Sequence, residues 1–148
     1  MQDKSYLTAI TRKTLSAPLK FLINSGRILI GHQILDYGCG KGADCCWLHI
    51  KGYKPQGFDP HWYNDPLALM KEYDVVLCTY VLNVVDSKTR TEVIACLKDL
   101  VVSDGKIYIT VRRDFAKDYV TKKGTMQYVV YLPYKIVEEN SRFCIYEI

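Results

Sequence analysis

The chain has 148 residues, 49% hydrophobic and 24% charged, with a formal net charge of +4. That balance fits one domain able to bury a real core, and it excludes a low-complexity or fibrous chain and leaves no room for a separate recognition domain. The longest uncharged apolar run, Val75 to Val85, lies between Asp74 and Asp86 and is too short to span a bilayer.

Met1-Gln2-Asp3-Lys4 lacks the charged-then-apolar layout of a signal peptide, so a cytoplasmic protein without a membrane partner is expected. The six cysteines form no C-x-x-C pair and no histidine stands at ligand spacing, so neither a metal site nor a disulfide framework is indicated. Adjacent Cys45 and Cys46 on a helix would point to different faces.

In chain order, Ser16-Ala17-Pro18 reads as a helix start, with Leu19, Leu22 and Ile23 on its apolar face and Gly26 at its end. Helix is expected over residues 6–25, broken near the proline, as a cap of residues 1–30 on a core of residues 31–148. Gln33 to Asp36 is a short strand that enters a glycine-rich turn. Ala43, Cys46, Trp47 and Ile50 then follow helical spacing. Gly52 closes that helix, and Lys54 to Phe58 predicts a second strand that ends at Asp59.

Tyr73 to Cys78 is a continuous β-prone run, the pattern of a strand covered on both faces. Asp86-Ser87 caps a helix with Val93, Ile94, Leu97 and Val101 toward the sheet. Asp104-Gly105 turns into a strand from Lys106 to Val111. Two last strands, Met126 to Leu132 and Phe143 to Ile148, are expected to pair as a hairpin around a polar turn at Glu138 to Ser141. The order predicts an α/β fold: a doubly wound, mostly parallel sheet with helices on both faces and a C-terminal antiparallel hairpin.

In such a sheet ligands bind beyond the carboxyl ends of the strands. Gly38, Gly40 and Gly42 let the backbone turn sharply there. Asp36 ends the first strand, where its carboxylate could hold an ammonium. Asp59 ends the second, where an acid accepts ribose hydroxyls, and Pro60 and Trp62 could wall an adenine. Gly38-x-Gly40-x-x-Ala43 also satisfies the dinucleotide pattern, so a nucleotide-binding module of NAD type is an alternative.

Ile34 to Asp44, Gly57 to Trp62 and Tyr73 to Val85 resemble motifs I, II and IV of class I S-adenosylmethionine-dependent methyltransferases, which have a Rossmann-like core. Thr8-Ala9-Ile10, Arg12, Leu15-Ser16, Pro18 and Val111 to Asp114 are similar to the short methyltransferase-like proteins of phages and bacteria and to methyltransferases associated with DNA phosphorothioation. The resemblance implies S-adenosylmethionine as cofactor, held by Asp36, Gly38, Cys39 and Gly40 on its methionine side, by Asp59 at its ribose and by Thr79-Tyr80 near its sulfonium. One departure stands out: only 14 residues separate Asp59 from Asp74. A full class I core fits a helix and a third strand there, so the adenine pocket must be remade by Trp62 to Met70.

Methyl transfer needs no obligatory catalytic residue. For an amine or hydroxyl acceptor, Tyr80, His61 and Asp114 are candidate bases, although Tyr80 fits a pocket wall, Asp114 a partner of Arg112 or Arg113, and His61 the surface. Asn83 could orient an acceptor, but its amide is read first as a cap on local backbone.

Residues 1–30 carry five basic and one acidic side chain, and residues 112–124 carry five basic and two acidic. Arg12, Arg112, Arg113, Lys122 and Lys123 are therefore candidate contacts for nucleic acid or a phosphorylated small molecule, or else solvated charge. No Asn/Asp-Pro-Pro-Tyr tetrapeptide or Pro-Cys nucleophile is present, so a nucleic-acid modifier of this size would need a protein partner for target recognition. Three functions stand: an active methyltransferase, a cofactor-binding accessory subunit without turnover, and the nucleotide-binding module.

Overall fold

The computed structural model describes residues 4–148; the reading of Met1 to Asp3 and the start of the expected cap lie outside them. The elements are α1 (Ala17–Asn24), β1 (Gln33–Tyr37), α2 (Ala43–Ile50), β2 (Lys54–Phe58), β3 (Tyr73–Thr79), α3 (Ser87–Asp99), β4 (Val101–Arg112), β5 (Tyr119–Val120), β6 (Met126–Gln127), β7 (Lys135–Glu139) and β8 (Phe143–Glu147). Six strands form one sheet in the order β2-β1-β3-β4-β8-β7. The first four run parallel, and β8 pairs antiparallel with both β4 and β7, which is the Rossmann-like plan expected.

Alternation along the strands sorts the core into two layers. Ile34, Val75, Leu77 and Tyr108 meet Leu19 and Leu22 of α1 and Leu48 of α2 on one face. Leu35, Val76, Cys78, Ile107 and Ile109 meet Leu97 of α3 on the other. Leu19, Leu22, Leu48 and Leu97 have no exposed surface. Burial of each contributes roughly 2 kcal/mol, which fixes the helices on the sheet. Asp86 caps α3 as expected, its carboxylate accepting from Thr89 N–H at 2.8 Å. Among the described residues no helix is long and apolar enough to cross a membrane.

Four local expectations are corrected. Residues 6–25 do not make one broken helix: a 3-10 turn spans Ser5–Thr8, and regular helix begins only at Ala17. Val101 belongs to β4 rather than to the face of α3. Asp104-Gly105 does not precede the strand. Pairing jumps from Tyr73↔Val101 to Val75↔Lys106, so the glycine lies in a bulge within β4. A Cβ at Gly105 would stand 2.7 Å from the Asp74 carbonyl oxygen.

The hairpin partner of β8 is Lys135–Glu139, not Met126 to Leu132, of which only Met126–Gln127 is strand. Glu138 and Glu139, expected to begin the polar turn, end this strand instead. Charges are what an exposed edge strand carries to deter pairing with other chains. At the opposite edge the short link 60–72 holds a Pro66–Leu69 3-10 turn and no strand, so the sheet ends at β2.

Candidate functional site: a cavity at the strand ends

The carboxyl ends of β1 and β3 diverge where the strand order reverses, and a cavity of about 520 Å³ opens there. Asp36, Gly38, Asp59, Thr79, Tyr80 and Arg12 are among its lining residues. The loop after β1 is bound to the end of β2. Gly38 N–H and Cys39 N–H both donate to the Phe58 carbonyl, at 2.7 and 3.0 Å. Gly40 N–H donates to Asp59 Oδ2 at 2.9 Å. Gly38 has φ +77°, and a Cβ on it would clash with Val81 Cγ2, so both conformation and space demand glycine.

Asp36 is 4% exposed and has no ion-pair partner among the described residues. Burial, and next the neighbouring Asp44 carboxylate, hold its pKa well above the ordinary carboxylate value. Asp44 is committed elsewhere, accepting from Ser16 N–H and Oγ–H, both at 2.8 Å. Asp59 Oδ1 accepts from His61 N–H and Trp62 N–H at 2.9 and 3.0 Å. With Gly40 on Oδ2, one acceptor position of Asp59 is left for a ligand. Thr79 Oγ1 is buried without a hydrogen-bond partner among the described residues.

The profile of the methyltransferase domain family matches residues 8–137. The chain belongs to that family. A search of curated protein sequences finds no match. Solved structures with the same architecture include TehB from Haemophilus influenzae, 14% identical over 86% of this chain and 60% of that one, with a TM-score of 0.61. The Burkholderia thailandensis 1,6-didemethyltoxoflavin-N1-methyltransferase, solved with 1,6-didemethyltoxoflavin and S-adenosylhomocysteine, is 13% identical over 99% of this chain and 78% of that one, also at 0.61. The DhpI complex with S-adenosylhomocysteine (SAH) is 12% identical over 88% and 86%, at 0.56. At such identities the likeness is one of fold.

In this methyltransferase domain Asp36, Gly38, Cys39, Gly40, Asp59, Pro60, His61, Thr79, Tyr80 and Arg12 all line the strand-end cavity. Trp62 does not: its indole N–H donates to the Tyr6 carbonyl at 3.3 Å, and Lys41 Nζ lies 5.2 Å from its ring centroid. No residue from Trp62 to Met70 reaches the lining. Its apolar lining instead includes Val81, Val84, Val85 and Val93.

The three candidate bases differ in their surroundings. His61 stacks on Tyr6 with ring centroids 3.9 Å apart. Asp114 takes Arg112 Nε and Nη2 at 2.8 and 2.7 Å, and the guanidinium lowers its pKa. Burial raises the pKa of Tyr80, so its phenol is neutral near pH 7. Tyr80 is the one non-glycine residue of positive φ among those described, at 59°. Backbone of that kind concentrates at functional sites.

Arg112 lines a second, adjoining cavity. Arg113 lines neither, because its guanidinium is held by Glu139 Oε2 at 3.0 Å, the Val130 carbonyl at 2.7 Å and Tyr146 OH at 2.7 Å. Lys123 Nζ donates to the Leu7 carbonyl at 3.3 Å, and Lys122 is exposed. Asn83 does not cap local backbone with its side chain: Nδ2 donates to Gln127 Oε1 at 2.9 Å, and Oδ1 has no partner among the described residues. Gln127 and Arg142, also in the second cavity, had no local signal in the sequence.

Proposed function

We propose that the protein is an S-adenosylmethionine-dependent methyltransferase whose donor occupies the strand-end cavity. The observation that carries this is Asp36, a buried carboxylate without a cationic partner at the end of β1. With Asp44 and Asp59 it gives the cavity three carboxylates against Arg12 and Lys41, a balance suited to a ligand bearing an ammonium and a sulfonium. A pyrophosphate fits less well, since three N–H groups of the glycine loop are already donated to β2 and its acid. That is the argument against the NAD-type alternative.

The residues present fit the donor. Asp36 would hold its ammonium, the open acceptor position of Asp59 its ribose, Thr79 Oγ1 a further polar atom, and the four valines its apolar base. When bound, the donor supplies a methyl group that an acceptor's lone pair takes by in-line displacement, the bonding pair staying on sulfur. The protein's part is to position the partners and exclude water; no base is obligatory, and a proton lost by the acceptor passes to solvent. An acceptor that is already a good nucleophile suits this site.

Nucleic acid and phosphorylated small molecules remain our candidate acceptor classes, the former with a protein partner for target recognition. Thr8 to Pro18 and Val111 to Asp114 support a place among the short phage and bacterial methyltransferase-like proteins. Incubation with methyl-labelled donor and separate pools of DNA, RNA, protein and metabolites should label one pool, and Asp36→Ala should remove the label. Donor binding without label in any pool would leave the accessory-subunit reading instead.

A further inference from the structure

Next to the strand-end cavity lies a second one of about 340 Å³, and the two share Arg12 and Tyr80 in their walls. Arg12, Arg112 and Arg142 line it against one carboxylate, Asp114, so its charge is opposite to that of its neighbour. Asp114 neutralises Arg112 with a two-pronged ion pair. The guanidiniums of Arg12 and Arg142 have neither a hydrogen bond nor an ion pair among the described residues.

In the same lining Asn83, 1% exposed, and Gln127, 5% exposed, join through one amide hydrogen bond. The pairing uses one donor and one acceptor and leaves Asn83 Oδ1 buried and unpaired. An unpaired buried carbonyl is costly until a partner arrives. A ligand N–H or O–H is such a partner.

We propose that this second cavity is the methyl-acceptor site, and that its occupant is a small molecule bearing a phosphate or carboxylate together with an N–H or O–H group. The assignment rests on the donor reading above, because it is the shared wall at Tyr80 that brings the occupant to the donor. Arg12 and Arg142 take the anion, since guanidinium donors match the planar or tetrahedral oxygens of such groups. Asn83 and Gln127 take the polar group. A small molecule is favoured over nucleic acid: the site is a concavity rather than a strip, and Arg113 and Lys123 are spent on protein carbonyls and carboxylates.

The test is a nuclear magnetic resonance titration of the SAH-saturated protein with inorganic phosphate, with lactate, and with a short single-stranded DNA. Phosphate or lactate should shift the Asn83 and Gln127 side-chain amide signals saturably, and whichever binds tighter names the anion. Arg142→Ala should weaken that binding by about tenfold or more. Lys98→Ala, outside both cavities, should leave it unchanged. Asn83→Asp should abolish it while SAH still binds.

SAH binding with no saturable shift from either small anion overturns the acceptor site and leaves the donor reading intact. Loss comparable to Arg142→Ala in Lys98→Ala also overturns it. So does DNA binding that is tighter than both anions and depends on Arg142. Anion binding in a protein that does not bind SAH removes the donor reading, and with it the cavity's role as an acceptor site.

Discussion

Arg12 and Tyr80 meet on the wall common to both cavities, with the guanidinium carbon 5.9 Å from the phenol ring centroid. A cation over an aromatic face in a partly dry site is an attractive contact, on the order of 1 kcal/mol. It holds the ring where donor and acceptor would face each other. It also places one positive charge between an acidic cavity and a basic one.

If Tyr80 is a wall rather than a base, its hydroxyl is dispensable. Tyr80→Phe should lower kcat/KM by less than about tenfold, below the loss that follows removal of a general base. Because burial raises the pKa of the phenol, no inflection from Tyr80 is expected near neutral pH. A pH–rate profile of both proteins checks this, and a loss of about a hundredfold would make Tyr80 a participant in proton transfer.

Asp36 should trade stability for function. Its pKa is higher in the folded state than in the unfolded chain, so the folded state binds the proton more tightly and stability falls as pH rises through that window. Asp36→Asn removes the buried charge. It should stabilise the protein near pH 7 by on the order of 1 kcal/mol while abolishing SAH binding. Urea unfolding at neutral and acid pH reads the effect, with the gap between variant and wild type closing on acidification.

Gly38→Ala should destabilise by about 2–4 kcal/mol, combining a left-handed backbone at φ +77° with a methyl that clashes with Val81 Cγ2. Adding Val81→Ala removes the clash but not the backbone cost. A double-mutant cycle should therefore recover part of the loss and leave about 1 kcal/mol or more.

Arg113→Ala should cost about 2–3 kcal/mol, since it leaves Glu139, the Val130 carbonyl and Tyr146 without their shared donor. It should not change binding of SAH or of small anions. Denaturation paired with the two titrations separates this structural clamp from Arg142.

The strand-end cavity was legible because its signals are local. Asp36 and the glycine loop follow β1 and Asp59 follows β2, and strand-helix-strand spacing alone brings them together. The second cavity depends on pairings that local sequence does not encode. Arg142 reaches it only through the β7–β8 hairpin, and Asn83 meets Gln127 across 44 positions. Trp62 misled for a related reason: an aromatic after the acid suits an adenine wall, but the Tyr6 carbonyl offers its N–H a partner outside the cavity. The hairpin strand β7 was missed because edge charge and turn charge look alike in one sequence.

The most direct measurement is isothermal calorimetry of the purified protein with SAH and, separately, NAD. The account predicts one SAH per chain, binding that weakens as acidification protonates Asp36, its loss in Asp36→Asn, and no heat from NAD. NAD binding in the absence of SAH binding would contradict it.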